Sequence, residues 1–303
     1  MSAVAASPNV LCIGRVYCDI IFTDLPRLPT PGTEVFSGGL GIHAGGGAAI
    51  TAGHLSCLGR MTSLAGYLPG SGFGQAVRRE LTAIGVDLSL CCDQSSQSDP
   101  QLTVALVQGD ERAFVTRRTG QAFPAIDMQR LKKMAPKHIH VGEATTLIEN
   151  PNLIPLAKDL GASLSLDCSW DDALDGAQLL QLLPDVDIFF PNASELELLR
   201  TLGLPDRVSS LTVVKQGRLG ATALTGTVEI HAPALDVDVV DTTGAGDAFN
   251  AAFLDRWLED CPIEDCLERG NQMGAEAVTY RGGLSGKHGN TSPDGALALS
   301  RNV

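Results

Sequence analysis

The chain has 303 residues, 44% of them hydrophobic, with Lys+Arg 22 against Asp+Glu 35 and a formal net charge of −13. The length suits a single α/β domain over residues 1–303 with ample apolar content for a core. The acidic balance is a poor match for nucleic acid or an anionic membrane, and Arg15, Arg27, Arg112, Arg117 and Arg118 are too scattered to form a basic patch.

The opening stretch MSAVAASPNVLCIG has neither the basic start nor the long apolar region of a signal peptide, and no run reaches the roughly 18 apolar residues of a membrane span. The eight cysteines form no C-x-x-C pair and have no histidine at zinc-ligand spacing, and several sit in apolar runs such as VLCIG. These features predict a cytoplasmic protein without structural disulfides or zinc.

Taken in chain order, NVLCIG (9–14), TSLAG (62–66), HIHVG (138–142), SLSLD (163–167), VDIFF (186–190) and LTVVK (211–215) predict buried strands. Between the first of them, GAAITAGHLSCLG and FGQAVRRELTAIG carry apolar residues at three-to-four spacing and end in Gly, as helices do. Such alternation implies a mostly parallel sheet with helices on both faces. Two segments break the rhythm. Residues about 16–44 hold three prolines and strand-like pieces; residues about 96–120 read as a hairpin, LTVALV and RAFVTR around a GDE turn. Both leave the βα alternation and predict a small β-strand lid over the sheet edge. The lid's apolar pieces FTDL and EVF point to pairing with a second subunit's lid as a homodimer.

Near the C-terminal end, VDVVDTTGAGDAFNAAFLDRWL predicts an apolar strand ending at Asp241 and a helix beginning near Asp247, with Phe249, Phe253 and Trp257 repeating every four residues. Gly244 and Gly246 allow a tight turn and close approach of a ligand. The first N–H groups of the helix then converge on one point with the positive end of the dipole behind them, which suits a phosphate or a developing oxyanion. The competing reading is a glycine turn with Asp247 as a helix cap. A dinucleotide-binding turn fits poorly, because Phe249 stands where the third small residue belongs, and RGGLSGKH departs from a P-loop at Arg281 and His288.

As a whole, DTTGAGDAF resembles the C-terminal signature of the ribokinase-like (PfkB) family of carbohydrate and nucleoside kinases. Further fragments fall in that family's order: CIGRVYCD ending at Asp19, GGGAAITAGHLSCLG (45–59), GSGFG (70–74), PNASE (191–195) and VKQGRLGA (214–221). The resemblance spans roughly residues 9 to 283. It implies a three-layer α/β/α fold with a small β-strand lid, and transfer of the ATP γ-phosphate to a hydroxyl of a small sugar.

The resemblance makes Asp247 the proton acceptor, with the N–H groups of Gly244, Ala245 and Gly246 holding charge on the transferring group. A base that takes its proton late needs no unusual pKa. Asn192 and Glu195 are spaced as a capping box; in the family this pair organises Mg²⁺ and phosphate through water. Lys215, Gly217 and Gly220 correspond to a nucleotide-side loop, with Asn271 a further adenine-side candidate, although a strand-end lysine is commonly just solvated. Asp241 and Thr243 match positions that coordinate a monovalent cation such as K⁺ in many relatives, or else they cap the turn. Asp19 would accept hydrogen bonds from substrate hydroxyls, and Gly45 and Gly46 would admit the sugar.

Two positions set the substrate question. Where the family usually has an Asn that binds sugar hydroxyls, this chain has Ile50, with His43 as a nearby polar substitute. Arg118, in RRTGQA, matches an Arg that some acid-sugar kinases set against a substrate carboxylate; the competing reading is a solvated strand arginine. The alternatives within the family are therefore a nucleoside kinase and an acid-sugar (2-keto-3-deoxygluconate-type) kinase, and the low aromatic content of 5% favours sugars over nucleosides. A noncatalytic sugar- or nucleotide-binding regulator on the same fold is the alternative of another class.

Overall fold

The computed structural model describes residues 9–94, 101–109, 111–169, 171, 174–205 and 208–284. The buried strand β1 (Val10–Ile13) leads into β2 (Tyr17–Thr23) and β3 (Gly39–Gly45), and then into helix α1 (Gly47–Cys57). Next come β4 (Thr62–Ala65), β5 (Tyr67–Leu68), α2 (Ser71–Ala83) and β6 (Cys92–Asp93), followed by β7 (Leu102–Gln108) and β8 (Glu111–Arg117). The middle of the chain holds α3 (Met128–Met134), β9 (His138–Val141), α4 (Ala144–Glu149), α5 (Leu153–Leu160), β10 (Ser163–Asp167) and α6 (Gly176–Leu182). It continues through β11 (Ile188–Phe190), α7 (Ala193–Thr201) and β12 (Leu211–Lys215) to the strands β13 (Ala221–Thr225) and β14 (Val228–Ala232). Helices α8 (Ala245–Trp257) and α9 (Ile263–Ala277) complete the described fold.

The main sheet has eight strands in the order β14-β13-β12-β11-β10-β9-β1-β4. From β4 to β12 every neighbouring pair is parallel. Parallel neighbours need long crossovers, which the helices supply, and strands covered on both faces read as near-continuous apolar runs. In β1, Val10 and Cys12 enter one core layer, while Leu11 and Ile13 enter the other, as a two-residue side-chain period requires. One layer receives Phe249 and Phe253 of α8; the other receives Leu147 of α4 and Leu199 of α7. The expected three-layer α/β/α arrangement with a mostly parallel sheet is the one found.

A second sheet, β3-β2-β7-β8, stands apart from the first. It is built from the two segments that break the βα rhythm, with β7 and β8 pairing as the expected antiparallel hairpin. Leu40, Phe114 and Val115 of this sheet, and Phe36 before it, are exposed.

One expected element is absent. The stretch Val237–Val240 forms no strand, and Val239 and Val240 are exposed. The strand that follows β12 in the sheet is β13, which turns back from β12 and in turn pairs with β14, a hairpin outside the expected strand set. The N–H groups of Val240 and Asp241 go instead to the carbonyl of Val278 at the end of α9, at 2.7 and 3.0 Å.

Candidate active site

The glycine turn lies between the main sheet and the small sheet. Gly244 is the N-cap of α8 with φ of 75°, a left-handed conformation that costs a glycine nothing. The helix opens at Ala245, so Asp247 is its third residue, and no side chain caps the N-terminus. The capping alternative for Asp247 is therefore not the arrangement found. Its carboxylate points back to the start of α1: a Cβ added to Gly47 would lie 3.0 Å from Asp247 Oδ1. Asp247 is half-buried. Burial, reinforced by the Asp167 charge and opposed by Lys215, pushes its pKa well above the ordinary carboxylate value. A base that takes its proton late does not need this shift, which follows from where the fold places the carboxylate.

Beneath the turn lies a charged network. Lys215 Nζ, at the end of β12, donates to Asp167 Oδ2 at 2.9 Å and to Asn250 Oδ1 at 3.3 Å, and Asn250 Nδ2 donates to Asp167 Oδ2. The Lys215 and Asp167 side chains are 14% and 8% exposed, so Lys215 is not the solvated strand-end lysine of the competing reading. A Cβ on Gly246 would come within 3.4 Å of Lys215 Nζ, which fixes that charge directly under the turn. Asp167 and Asn250 were not among the expected site residues. A usable signal existed for Asp167, because polar residues at the carboxyl ends of central parallel strands are where α/β folds hold ligands.

On one side of the turn opens a cavity of ≈ 540 Å³, lined by Lys215, Gly217, Gly220, Ala245, Gly246 and Asn271 among others. It thus gathers all four residues expected on the nucleotide side. Asn271 is buried and donates Nδ2 to the carbonyls of Ala232 and Pro233 at 2.9 and 3.0 Å, tying α9 to the end of β14. Asn192 forms an isolated bridge with Lys215 and caps α7. The reciprocal capping box is complete, with Asn192 N donating to Glu195 Oε2 at 2.7 Å and Glu195 N to Asn192 Oδ1 at 2.9 Å. The Glu195 charge acts on both Lys215 and Asp247, so this acidic helix start belongs to the same field. Among the described residues, no three His, Cys, Asp or Glu side chains gather to hold a metal ion directly.

On the other side lies the small sheet. Asp19 of β2 is half-buried, and desolvation, partly offset by a hydrogen bond with Thr103, raises its pKa to about 6. Its carboxylate lies against Gly45, where a Cβ would collide with it, so Gly45 makes room for Asp19. Gly46 is the N-cap of α1. His43 is engaged by Glu80 at 3.2 Å, a hydrogen bond that raises its pKa. Arg118 forms an ion pair with Asp171. Ile50 is buried and faces the turn: Cβ atoms on Gly244 and Gly283 would meet its side chain at 3.2 and 2.7 Å.

Asp241 is buried just before the turn. Its Oδ1 accepts from Thr243 N at 2.8 Å and from Arg112 of β8 at 2.6 Å, and its Oδ2 accepts from Gly282 N at 2.9 Å. The first of these bonds is the turn-capping arrangement.

A family model described as pfkB family carbohydrate kinase matches residues 7–288. The ATP-dependent ribose-1-phosphate kinase of Halopiger xanaduensis is 28% identical over 285 residues, covering 91% of this chain and 94% of that protein. The ribokinase of Bacillus subtilis is 24% identical over 291 residues, covering 92% of this chain and 95% of that protein. Among solved structures, that of Arabidopsis thaliana ribokinase complexed with ribose and ATP superposes with a TM-score of 0.76 at 23% identity, covering 92% of this chain and 95% of that chain.

Proposed function

The chain belongs to the pfkB family of carbohydrate kinases, and from that premise we propose that it moves the γ-phosphoryl group of ATP onto a hydroxyl of a small neutral sugar, with Asp247 as the base. The observation that carries this reading is the position of Asp247. It stands at the third position of a helix whose N-terminus opens on the ≈ 540 Å³ cavity, with its carboxylate turned toward α1 and the small sheet.

In this reading ATP fills the cavity between the Gly217–Gly220 loop and Asn271, and its γ-phosphate meets the N–H groups of Gly244, Ala245 and Gly246. Lys215, held under Gly246 by Asp167 and Asn250, adds fixed positive charge below the same point. The sugar lies over Gly45 and Gly46, where Asp19 accepts its hydroxyl hydrogen bonds. Asp247 takes the proton of the attacking hydroxyl as that oxygen bonds to phosphorus. The raised pKa of Asp247 strengthens its basicity.

The donor set of Asn192 and Glu195 fits Mg²⁺ held through water. Its capping bonds leave an acidic helix start next to Lys215, and Mg²⁺ dehydrates reluctantly. Bound there with ATP, Mg²⁺ would neutralise phosphate charge. A neutral sugar is favoured over an acid one because Arg118 is already paired with Asp171, while Asp19 presents a carboxylate beside Gly45. We assign the small sheet, from segments 16–44 and 96–120, as a lid of one catalytic domain, and its exposed Phe36, Leu40, Phe114 and Val115 as the surface of a homodimer. Sedimentation of wild type and Phe114→Lys checks that assembly, since the variant should be monomeric. A cytoplasmic location agrees with eight free cysteines.

The deciding experiment follows ADP release with Mg-ATP and a panel of neutral sugars, acid sugars, sugar phosphates and nucleosides. Stimulation by a neutral sugar supports the reading. Preference for an acid sugar or sugar phosphate reassigns Arg118 to the substrate, preference for a nucleoside points to a base site, and no stimulation supports a noncatalytic regulator.

A further inference from the structure

The small sheet reaches the glycine turn with a charge. Arg112, on β8, donates to Asp241 Oδ1 at 2.6 Å and to Thr242 Oγ1 at 2.9 Å. Both partners of the ion pair are largely withdrawn from water, the Arg112 side chain 14% exposed and that of Asp241 5%. The backbone N–H groups of Thr243 and Gly282 occupy further acceptor positions on the same carboxylate. A carboxylate offers about four such positions, and three are in use. A second contact runs parallel, from Arg281, adjacent to Gly282, to Asp24 at the end of β2, 3.1 Å apart.

The monovalent cation that the family resemblance implies at Asp241 and Thr243 does not fit this arrangement. It would have to displace the guanidinium or sit beside a like charge on one carboxylate. A negative Asp241 next to a turn that receives phosphate must nevertheless be neutralised, because an uncompensated carboxylate there repels the group the turn is built to hold.

We propose that the Arg112 guanidinium is the fixed counter-ion of Asp241, replacing a free monovalent cation behind the glycine turn, so that the protein works without K⁺. Arginine suits this role because it stays charged at any working pH, is weakly hydrated, and presents a fork that serves Asp241 and Thr242 together. Because it is carried on β8, the counter-ion arrives with the small sheet. The turn is charge-balanced when that sheet is docked on it.

The inference rests on the kinase reading for one of its two readouts only. Wild type and Arg112→Gln are compared in tetramethylammonium and potassium buffers of equal ionic strength. The first readout is kcat/KM with the best panel substrate; the second is Tm without ligands, which needs no substrate and so separates failure of this inference from failure of the kinase reading. Exchange of the cation should leave wild-type kcat/KM within about twofold and its Tm within about 1 °C. Arg112→Gln should lose about tenfold to a hundredfold in kcat/KM without K⁺, the worth of a charge-assisted hydrogen bond. About 100 mM K⁺ should restore part of that loss and raise the variant's Tm, as a cation binding the vacated place must. A several-fold activation or a clear Tm rise of wild type by K⁺ overturns the proposal, and this arm stands even if the variant does not fold. So does a variant that matches wild type in both buffers. A loss that K⁺ does not restore assigns Arg112 to the substrates instead and overturns it as well.

Discussion

The Nζ of Lys215 lies 2.9 Å from Oδ2 of Asp167, and this pair sits directly under Gly246 of the turn that carries Asp247. The two charges act on Asp247 in opposite senses, Asp167 raising its pKa and Lys215 lowering it. Asp167→Asn removes the raising charge and releases Lys215 toward Asp247, so the acid limb of the pH profile of kcat/KM should move to lower pH. Lys215→Met should move that limb to higher pH. Both profiles are measured by ADP release under saturating Mg-ATP, and equal displacement in the same direction would contradict the network. Removing one partner of a buried pair also costs roughly 3–5 kcal/mol, and the nearby carboxylates of Asp247 and Glu195 should keep Asp167→Asn at the lower end.

Asp247→Asn keeps the shape of the helix start and removes the proton acceptor. Turnover should fall by about 10²–10⁴, the usual worth of a positioned base, while calorimetric affinity for Mg-ADP changes little because the cavity lining is intact. Near-normal turnover in this variant would remove the base from the mechanism.

Asp19 links binding to stability. Its pKa of about 6 stands above the ordinary 3.8, so the folded state binds the proton more tightly than the unfolded chain. The favourable contribution is therefore fully present below 3.8 and lost as pH rises through about 6. Asp19→Asn should be stabilised relative to wild type by an amount that grows between pH 4 and 6 and is constant above, as read from Tm. The same variant should raise KM for the sugar, since a neutral amide replaces a charged acceptor.

His138 and His140 make the opposite demand. Burial, with the neighbouring charges, pushes both down to about 3 from an ordinary 6.5. Ser163 and Ser165 hold the His138 ring at 2.7 Å on each nitrogen, and Ser165 also meets His140 Nδ1 at 2.8 Å. Both histidines are neutral in the fold, so their stabilising contribution is complete above 6.5 and is lost as pH falls toward 3. Urea unfolding near pH 5 should show these residues contributing up to about 2–3 kcal/mol of lost stability per pH unit. His140→Gln should reduce that slope by about half.

Much of this architecture is legible without coordinates. Strands SLSLD and LTVVK fall on the residues expected, because short runs rich in Leu and Val and bounded by turn residues mark buried strands even where Ser, Thr or a terminal charge interrupts them. Local rules also sufficed for the Asn192–Glu195 capping box, whose bonds depend only on neighbours three residues apart. The VDVV stretch misled for the same reason. Its alternation is that of a strand, yet a strand needs a neighbouring strand to bond, and the N–H groups of Val240 and Asp241 go to the Val278 carbonyl at the end of α9.

The sequence by itself determined the βα order, the glycine turn with Asp247 in the first turn of a helix, and four of the residues that line the nucleotide-side cavity, Lys215, Gly217, Gly220 and Asn271. Each depends on local backbone preference or on motif order, and both survive in one dimension. Only the tertiary structure decided which charges meet. Asp167, Lys215 and Asn250 converge from β10, β12 and α8, and Arg112 crosses from the small sheet to Asp241, 129 positions away along the chain. Ion pairing depends on distance and burial, not on sequence separation, so those partnerships appear only when the sheets are docked.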